Sequence, residues 1–326
     1  MDDLNVLAVL AGVLAGASPI VLATMGETIT EKAGLINLSL DGTILLAAMV
    51  AFLVAHDAGS LGLGFLAAAL VGAGIAAVVG IAGVYMGQSQ VAVGFVLTLM
   101  CRDLAYFLGN PYSRIQGPRL APLPVPGLER LPLLGSLLFR HSLLVYLSVA
   151  VIATTWWYLY RTRWGLELRA VGENPQAAHA RGIDPKRLQL LHALLGGALV
   201  GLAGGAFSLG IKPGWGRPQG AEGMGWIALA IVIFGGWHPL KVALGAYLFA
   251  FLQVLGIPLQ SWWPSVPAQV FQVAPFPLMI LALLLLGLTQ KDTLQRWADA
   301  HPRVRKLLRS IQGRAPRALG RPYRQE

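Results

Sequence analysis

An all-α polytopic membrane protein, with about 8–10 transmembrane helices including one short or re-entrant pair, is the fold this chain predicts. Three observations predict it. Of 326 residues 56% are hydrophobic and only 12% charged, where soluble domains average about 25% charged. Several uncharged apolar runs reach the ~20 residues that cross a hydrocarbon core. The polar stretches between them are too short for a large soluble domain. The 39 glycines agree with this class, because small residues let membrane helices pack closely.

The first run, Leu4–Met25, follows MDDLN, which has no basic region, so it reads as a retained span rather than a cleaved signal. Gly26–Gly42, GETITEKAGLINLSLDG, is unusual for its polar residues. Glu27 and Glu31 stand one helical turn apart at the inner end of the first span. Asn37 and Asp41 are likewise one turn apart at the start of the second, Leu35–Ala55. A carboxylate at membrane depth is costly, so Asp41 must face protein, water or a hydrogen-bond donor. These four residues are candidates for a pathway wall or gate; capping and interhelical hydrogen bonding is the plainer alternative.

Spans three and four are Leu61–Met86 and Val91–Leu108. Span four carries Arg102 and Asp103, candidates to contact Asp41 or a pore, or to play a structural part. Neighbours on a helix point about 100° apart, so the two need not pair with each other. Residues 109–141 hold six prolines and read as an extended segment packed on the outer face. Ser142–Tyr160 and Leu190–Ile211 are further spans. Gly197, Gly201 and Gly205 lie on one face of the latter, which reads as helix packing. Gly223–Ile257 is interrupted by Gly235–Lys241 and gives two short tilted spans or a re-entrant pair. Ala268–Leu288 is the last span, and Trp262 and Trp263 suit an interfacial belt. Residues 1–288 therefore form a membrane domain and 289–326 a basic tail.

The tract Arg161–Gln189, RTRWGLELRAVGENPQAAHARGIDPKRLQ, is polar and basic. Asn174-Pro175 reads as a helix start, since Asn caps free N–H groups and Pro at the first position loses no hydrogen bond. Gly182 reads as the stop, because Gly adopts the left-handed conformation that ends helices. Asp184-Pro185 starts the next helix. A stub helix, Pro175–Arg181, is the result, on a surface where a soluble partner can push.

Loop 161–188 carries six Lys and Arg and the tail from Thr289 ten, so both are expected in the cytoplasm and the N-terminus outside. Loop 109–141 opposes this with Arg114, Arg119, Arg130 and Arg140. In the tail, Trp297, Val304, Leu308 and Ile311 share one helical face, which suits anionic lipid headgroups or a partner; the final residues read as disordered. The net charge of +10 reflects this asymmetry and implies no nucleic acid. Cys101 is the one cysteine, so no disulfide forms within the chain. No phosphate-binding Gly-Lys-Thr loop, His-Glu-x-x-His motif or mid-membrane carboxylate cluster occurs, so neither an ATPase nor a hydrolytic centre is expected in the chain.

The Gly26–Gly42 tract resembles the signature of permease subunits of ABC nucleoside and simple-sugar importers, with Asp41 where that family more often has Glu. Arg169–Ile183, RAVGENPQAAHARGI, is similar to the family's cytoplasmic coupling loop. Val125–Tyr146 resembles its outer loop and next span, and Trp226–Pro239, WIALAIVIFGGWHP, another family block. The outer-loop and WIALAIVIFGGWHP blocks look more like nucleoside than ribose-type members. The resemblance implies a type II-like importer fold and coupling to an ATPase through Arg169, Gly172, Glu173, Asn174, Pro175, Ala177, Ala178 and Gly182. It also implies a second permease subunit, commonly a longer paralogue, a cytoplasmic ATP-binding subunit that holds ATP-Mg, and an external substrate-binding lipoprotein. This chain itself needs no cofactor. The expected setting is a bacterial cytoplasmic membrane. An ion-coupled secondary transporter using Asp41, Arg102 and Asp103 is the alternative; it explains the intramembrane charges but not the structured basic loop.

Overall fold

A computed structural model of the chain describes residues 6–130, 134–263, 265–267 and 313–321, with 270, 273, 277 and 281 singly. Apart from those four residues, the expected span Ala268–Leu288 lies outside the described residues, as does the amphipathic face around Trp297–Ile311. Among those described, seven helices are long and apolar enough to cross a membrane, and one apolar helix is shorter.

Helix α1 is Val6–Lys32. At 1.5 Å per residue its 27 residues span about 40 Å, more than a hydrocarbon core needs. It runs through Glu27 and Glu31 rather than ending at Met25. It stays helical through Pro19 and ends ahead of Gly34, which takes a φ of +92°. Its hydroxyls bond back along the helix, Thr28 Oγ1 donating to the Thr24 carbonyl at 2.7 Å. Helix α2, Leu40–Ala58, starts later than the expected Leu35. The reason is a turn at Asn37, whose side-chain oxygen accepts from the Ser39 N–H at 3.1 Å and the Ser39 hydroxyl at 2.6 Å. Asn37 therefore precedes α2, and is not one turn from Asp41 on a common helix.

Helix α3, Leu61–Gly80, continues as a π-turn, Ile81–Tyr85, and α4 is Gln90–Gly109. The proline-rich segment lies extended over the end of the bundle reached by α4. There Leu120 N–H donates to the Leu209 carbonyl at 2.8 Å and Leu123 N–H to the His141 carbonyl at 2.8 Å. A short α5, Leu134–Leu138, leads to α6, Leu143–Arg161. At the other end of the bundle follow α7, Arg163–Glu173, and α8, Pro175–Ala180. Then come α9, Pro185–Ala206, with a π-turn Phe207–Ile211, then α10, Met224–Phe234, and α11, Pro239–Trp262.

Close backbone approach between α3 and α9 positions the rest. A Cβ on Gly72 would run into the Gly197 carbonyl and stand 2.6 Å from the Gly201 nitrogen; one on Gly201 would run into the Ala68 carbonyl. Side chains buried inside the bundle include Ile20, Leu22, Leu45, Phe52 and Phe249. The interrupted region resolves unevenly. At 24 residues α11 is a full-length span, whereas α10 has 11 residues and covers only about 16 Å. Residues 212–223 are non-helical and complete the crossing. They leave the end where Trp215 O accepts from Arg114 N–H at 3.1 Å, and α10 delivers Trp237 to Glu31 near the opposite end.

The final residues, 322–326, lie outside those described, whereas the tail segment Gly313–Arg321 is described. It packs on Gly34, Gly172 and Gly236, at the same end of the bundle as α7 and α8.

Candidate functional site

Helix α4 buries one face, formed by Gln90, Gly94, Leu97, Thr98, Cys101, Ala105 and Gly109. The opposite face exposes Phe95, Leu99 and Phe107 together with Arg102 and Asp103. Both charges lie past the middle of the apolar stretch Gln90–Tyr112. Charged side chains at that depth turn toward water or another polypeptide rather than lipid. Arg102 lies within electrostatic reach of both Asp41 and Tyr106, while Asp103 projects outward. The two neighbours thus serve different surroundings, as the 100° step between them requires.

The leg 212–223 runs beside this face. Irregular backbone at membrane depth persists only where its polar groups are satisfied. Glu222 does this here. Its carboxylate accepts the Tyr106 hydroxyl, the Gln219 N–H at 2.7 Å and the Gly220 N–H at 2.6 Å. The buried Gln219 amide accepts from Gly216 N–H at 3.2 Å and donates to the Gly214 carbonyl at 3.1 Å. The Arg217 guanidinium sits 4.8 Å from the centre of the Tyr106 ring, against which Trp215 also packs. Sequence reasoning missed Tyr106, Arg217, Gln219 and Glu222. The available signal was an acidic residue in the run QGAEGMG next to a strongly apolar helix.

Asp41 stands at the N-terminus of α10, inside the bundle. Its Oδ1 accepts the Gly225 N–H at 3.1 Å, and a Cβ on Gly225 would strike the Asp41 backbone. A carboxylate there satisfies a free helix-end donor and complements the positive end of the helix dipole. This is the geometry of an anchor for the half-helix. Asp41→Asn keeps an acceptor, so at least half of the wild-type uptake per assembled complex is expected. Asp41→Leu leaves buried donors unpaired, at a cost of roughly 1–3 kcal/mol, and should reduce assembled complex. Uptake of several substrates by both variants checks this; altered substrate preference in Asp41→Asn would instead place Asp41 on the substrate.

Toward the α7–α8 end, Glu27 accepts the Asn37 N–H at 3.4 Å through Oε1, while its buried Oε2 has no hydrogen-bond partner among the described residues. Glu31 accepts the Trp237 indole N–H, which ties the end of α1 to the α10–α11 turn. The His238 ring stacks on Tyr160 with centroids 5.1 Å apart, and Arg169 of α7 lies 4.9 Å from the same ring centre. Burial, then the charges of Lys241 and Lys32, push the His238 imidazole below its ordinary value, so it is neutral at pH 7. The sequence candidates Glu27, Glu31 and Asn37 thus meet at two turns, whereas Asp41 stands apart at the start of α10; Arg169 reaches the turns through Tyr160.

The coupling tract forms one more helix than the stub alone. Thr162 caps α7 by accepting the Gly165 N–H at 3.0 Å, and Leu168 and Val171 bury against Leu159, Ala178 and Leu188. Asn174 caps α8 by accepting the Ala177 N–H at 3.0 Å, with Pro175 in the first turn. Gly182 ends it at a φ of +81°, and Asp184 caps α9 through the N–H groups of Lys186 and Arg187. Glu173, Asn174, Ala177 and Gly182 are exposed, whereas Gly172 and Ala178 are buried. Gly172 backs on the Lys32 carbonyl, so it and Ala178 seat the stub and are not open to a partner.

The described residues thus form a helical bundle with a polar, partly unwound crossing and a capped helical stub at one end. A family model described as branched-chain amino acid transport system / permease component matches residues 9–285, and the chain belongs to that family. It is 36% identical over 249 residues, 75% of each chain, to the putative glucose ABC transporter permease protein TsgC13 of Haloferax volcanii. To the nucleoside ABC transporter permease protein NupC of Lactococcus lactis it is 32% identical, covering 87% of this chain and 95% of the relative. To the guanosine ABC transporter permease protein NupQ of Bacillus subtilis it is 29% identical, covering 87% and 93%. No solved structure matches. The chain is a membrane-spanning permease subunit of an ABC importer, a class whose ATP hydrolysis resides in a separate subunit. The secondary-transporter alternative is not favoured.

Proposed function

We propose that this subunit carries nucleosides across the cytoplasmic membrane, along the exposed face of α4 and the leg 212–223. The observation that carries the substrate class is the mixture of groups on that face. Phe95, Phe107 and the neighbouring Trp226 offer aromatic surface for a base, and Arg102, Asp103 and Arg217 offer hydrogen bonds to a polar, uncharged partner. Likeness over nearly the full length of the nucleoside and guanosine permeases supports nucleosides, and likeness to the glucose permease keeps simple sugars as the second candidate.

In this reading a second permease subunit, a longer paralogue, covers the α4 face and leaves Arg102 and Asp103 in a shared, hydrated pathway. A cytoplasmic ATP-binding subunit receives α8 in a groove, through Glu173, Asn174, Pro175, Ala177 and Gly182, with Arg169 behind them. ATP binding closes that subunit's halves and displaces α8. An external substrate-binding lipoprotein delivers substrate at the end where residues 110–142 lie. The α7–α8 end and the C-terminus face the cytoplasm and the N-terminus faces out, as the basic loop residues favour. The test is competition against labelled uridine in proteoliposomes of the complete complex. Unlabelled adenosine, guanosine and cytidine should compete and glucose should not. Competition by glucose with none by nucleosides would overturn the substrate assignment.

A further inference from the structure

Residues Gly313–Arg321, GRAPRALGR, make contacts that neither the pathway nor the coupling helix explains. Ala318 N–H donates to the Gly172 carbonyl at 2.9 Å, and Gly320 N–H to the Gly34 carbonyl at 2.9 Å. Leu319 N–H and Arg321 N–H close tight turns on Pro316 and Ala318, at 3.1 and 3.0 Å. Pro316 and Ala318 are buried, and Leu319 packs against the main core. Arg317 lies 3.9 Å from the Glu173 carboxylate. Gly313 lies with its backbone on that of Gly236, where a Cβ on either residue would clash.

These contacts fall on three separate parts. Gly172 and Glu173 belong to the α7–α8 unit. Gly34 is the turn between α1 and α2, and Gly320 lies against the neighbouring Ile36. Gly236 is the turn between α10 and α11, next to the Trp237 that bonds Glu31. The main fastenings are backbone hydrogen bonds and glycine contacts. They hold position without flexible side chains, whereas the exposed Arg317–Glu173 pair adds little.

We infer that Gly313–Arg321 is a transmission strap, which fastens the coupling unit to the two turns at that end of the pathway. Displacement of α8 then reaches Gly236 and Trp237 directly, in parallel with the routes through α6 and α9. The inference rests on the proposed importer function.

The experiment uses the complete complex in proteoliposomes. It compares the full chain, a chain ending at Gln312, Gly313→Val, and Ala318→Pro, which removes the N–H that bonds the Gly172 carbonyl. Assembled complex, basal ATP hydrolysis, hydrolysis stimulated by loaded binding protein, and uptake are read separately. The truncated chain and Gly313→Val should assemble and keep basal hydrolysis, while stimulated hydrolysis and uptake per assembled complex fall about tenfold. Ala318→Pro should behave as Gly313→Val does. Full uptake per assembled complex in Gly313→Val, Ala318→Pro or the truncated chain would overturn the strap. If truncation prevents assembly, the two point variants decide. Absence of ATP-dependent uptake by the full-length complex would overturn the importer reading itself.

Discussion

Gly201→Leu should leave almost no assembled permease in the membrane. At this position α9 lies backbone to backbone with α3, and a Cβ would already strike the Ala68 carbonyl. Gly72 faces Gly197 and Gly201 in the same seam. Overpacking a well-filled interior costs typically 1–3 kcal/mol. Here the obstacle is main chain, which cannot swing aside, so the cost belongs at or above the top of that range. Helix association in lipid depends on this close packing, because no hydrophobic force distinguishes a partner helix from lipid tails. About 3 kcal/mol corresponds to more than a hundredfold in an equilibrium, so complex recovered per unit of expressed chain should fall at least about tenfold. Gly74→Leu is the control. It lies on the same helix as Gly72, and a Cβ there meets nothing within 4 Å. Equal recovery of the two variants would show that the α3–α9 seam is not what holds the bundle.

Replacing Glu173–Gly182 with a Gly/Ser stretch of equal length should abolish both uptake and transport-coupled ATP hydrolysis. The replacement removes the Asn174 cap, Pro175 in the first turn and the buried Ala178, so α8 cannot form as a rigid lever. Helices of this length have no independent stability in water and depend on caps and packing. The spans are untouched, so the chain should still insert and be recovered from membranes. Gly182→Val is the milder form of the test. A β-branched residue at a φ of +81° is strained by about 1–3 kcal/mol, and the C-terminal end of α8 should shift or fray. Coupling should fall in this variant while basal hydrolysis by the partner ATPase persists. Normal coupling in the Gly/Ser replacement would mean that force enters the permease elsewhere.

Local chemistry made much of the coupling tract legible in the sequence. Asn174, Pro175, Gly182 and Asp184 act on their own backbone neighbours, so four residues fixed the stub and both its boundaries. The small-residue face Gly197–Gly201 was readable from spacing, but its partner Gly72 was not, because nothing local names the facing helix. The boundary between α1 and α2 was misread. Glu27 and Glu31 look like an exit from the membrane, yet α1 continues through them, where Asn37 in the following turn and Trp237, distant in sequence, supply hydrogen bonds. The leg 212–223 was illegible for the same reason. Its Gly-rich run carries no local signal for its place, which comes from the contacts of Trp215, Arg217 and Glu222 with Tyr106, more than a hundred residues away. Gly313–Arg321 carries no local signal for its place, which comes from backbone bonds to the distant Gly34 and Gly172.

The most direct test of the account is uptake of labelled uridine into proteoliposomes that contain this chain with its partner permease, ATP-binding subunit and binding protein. The account predicts uptake that requires ATP and the binding protein and survives a protonophore. Uptake by this chain alone, driven by an ion gradient and collapsed by the protonophore, would contradict it.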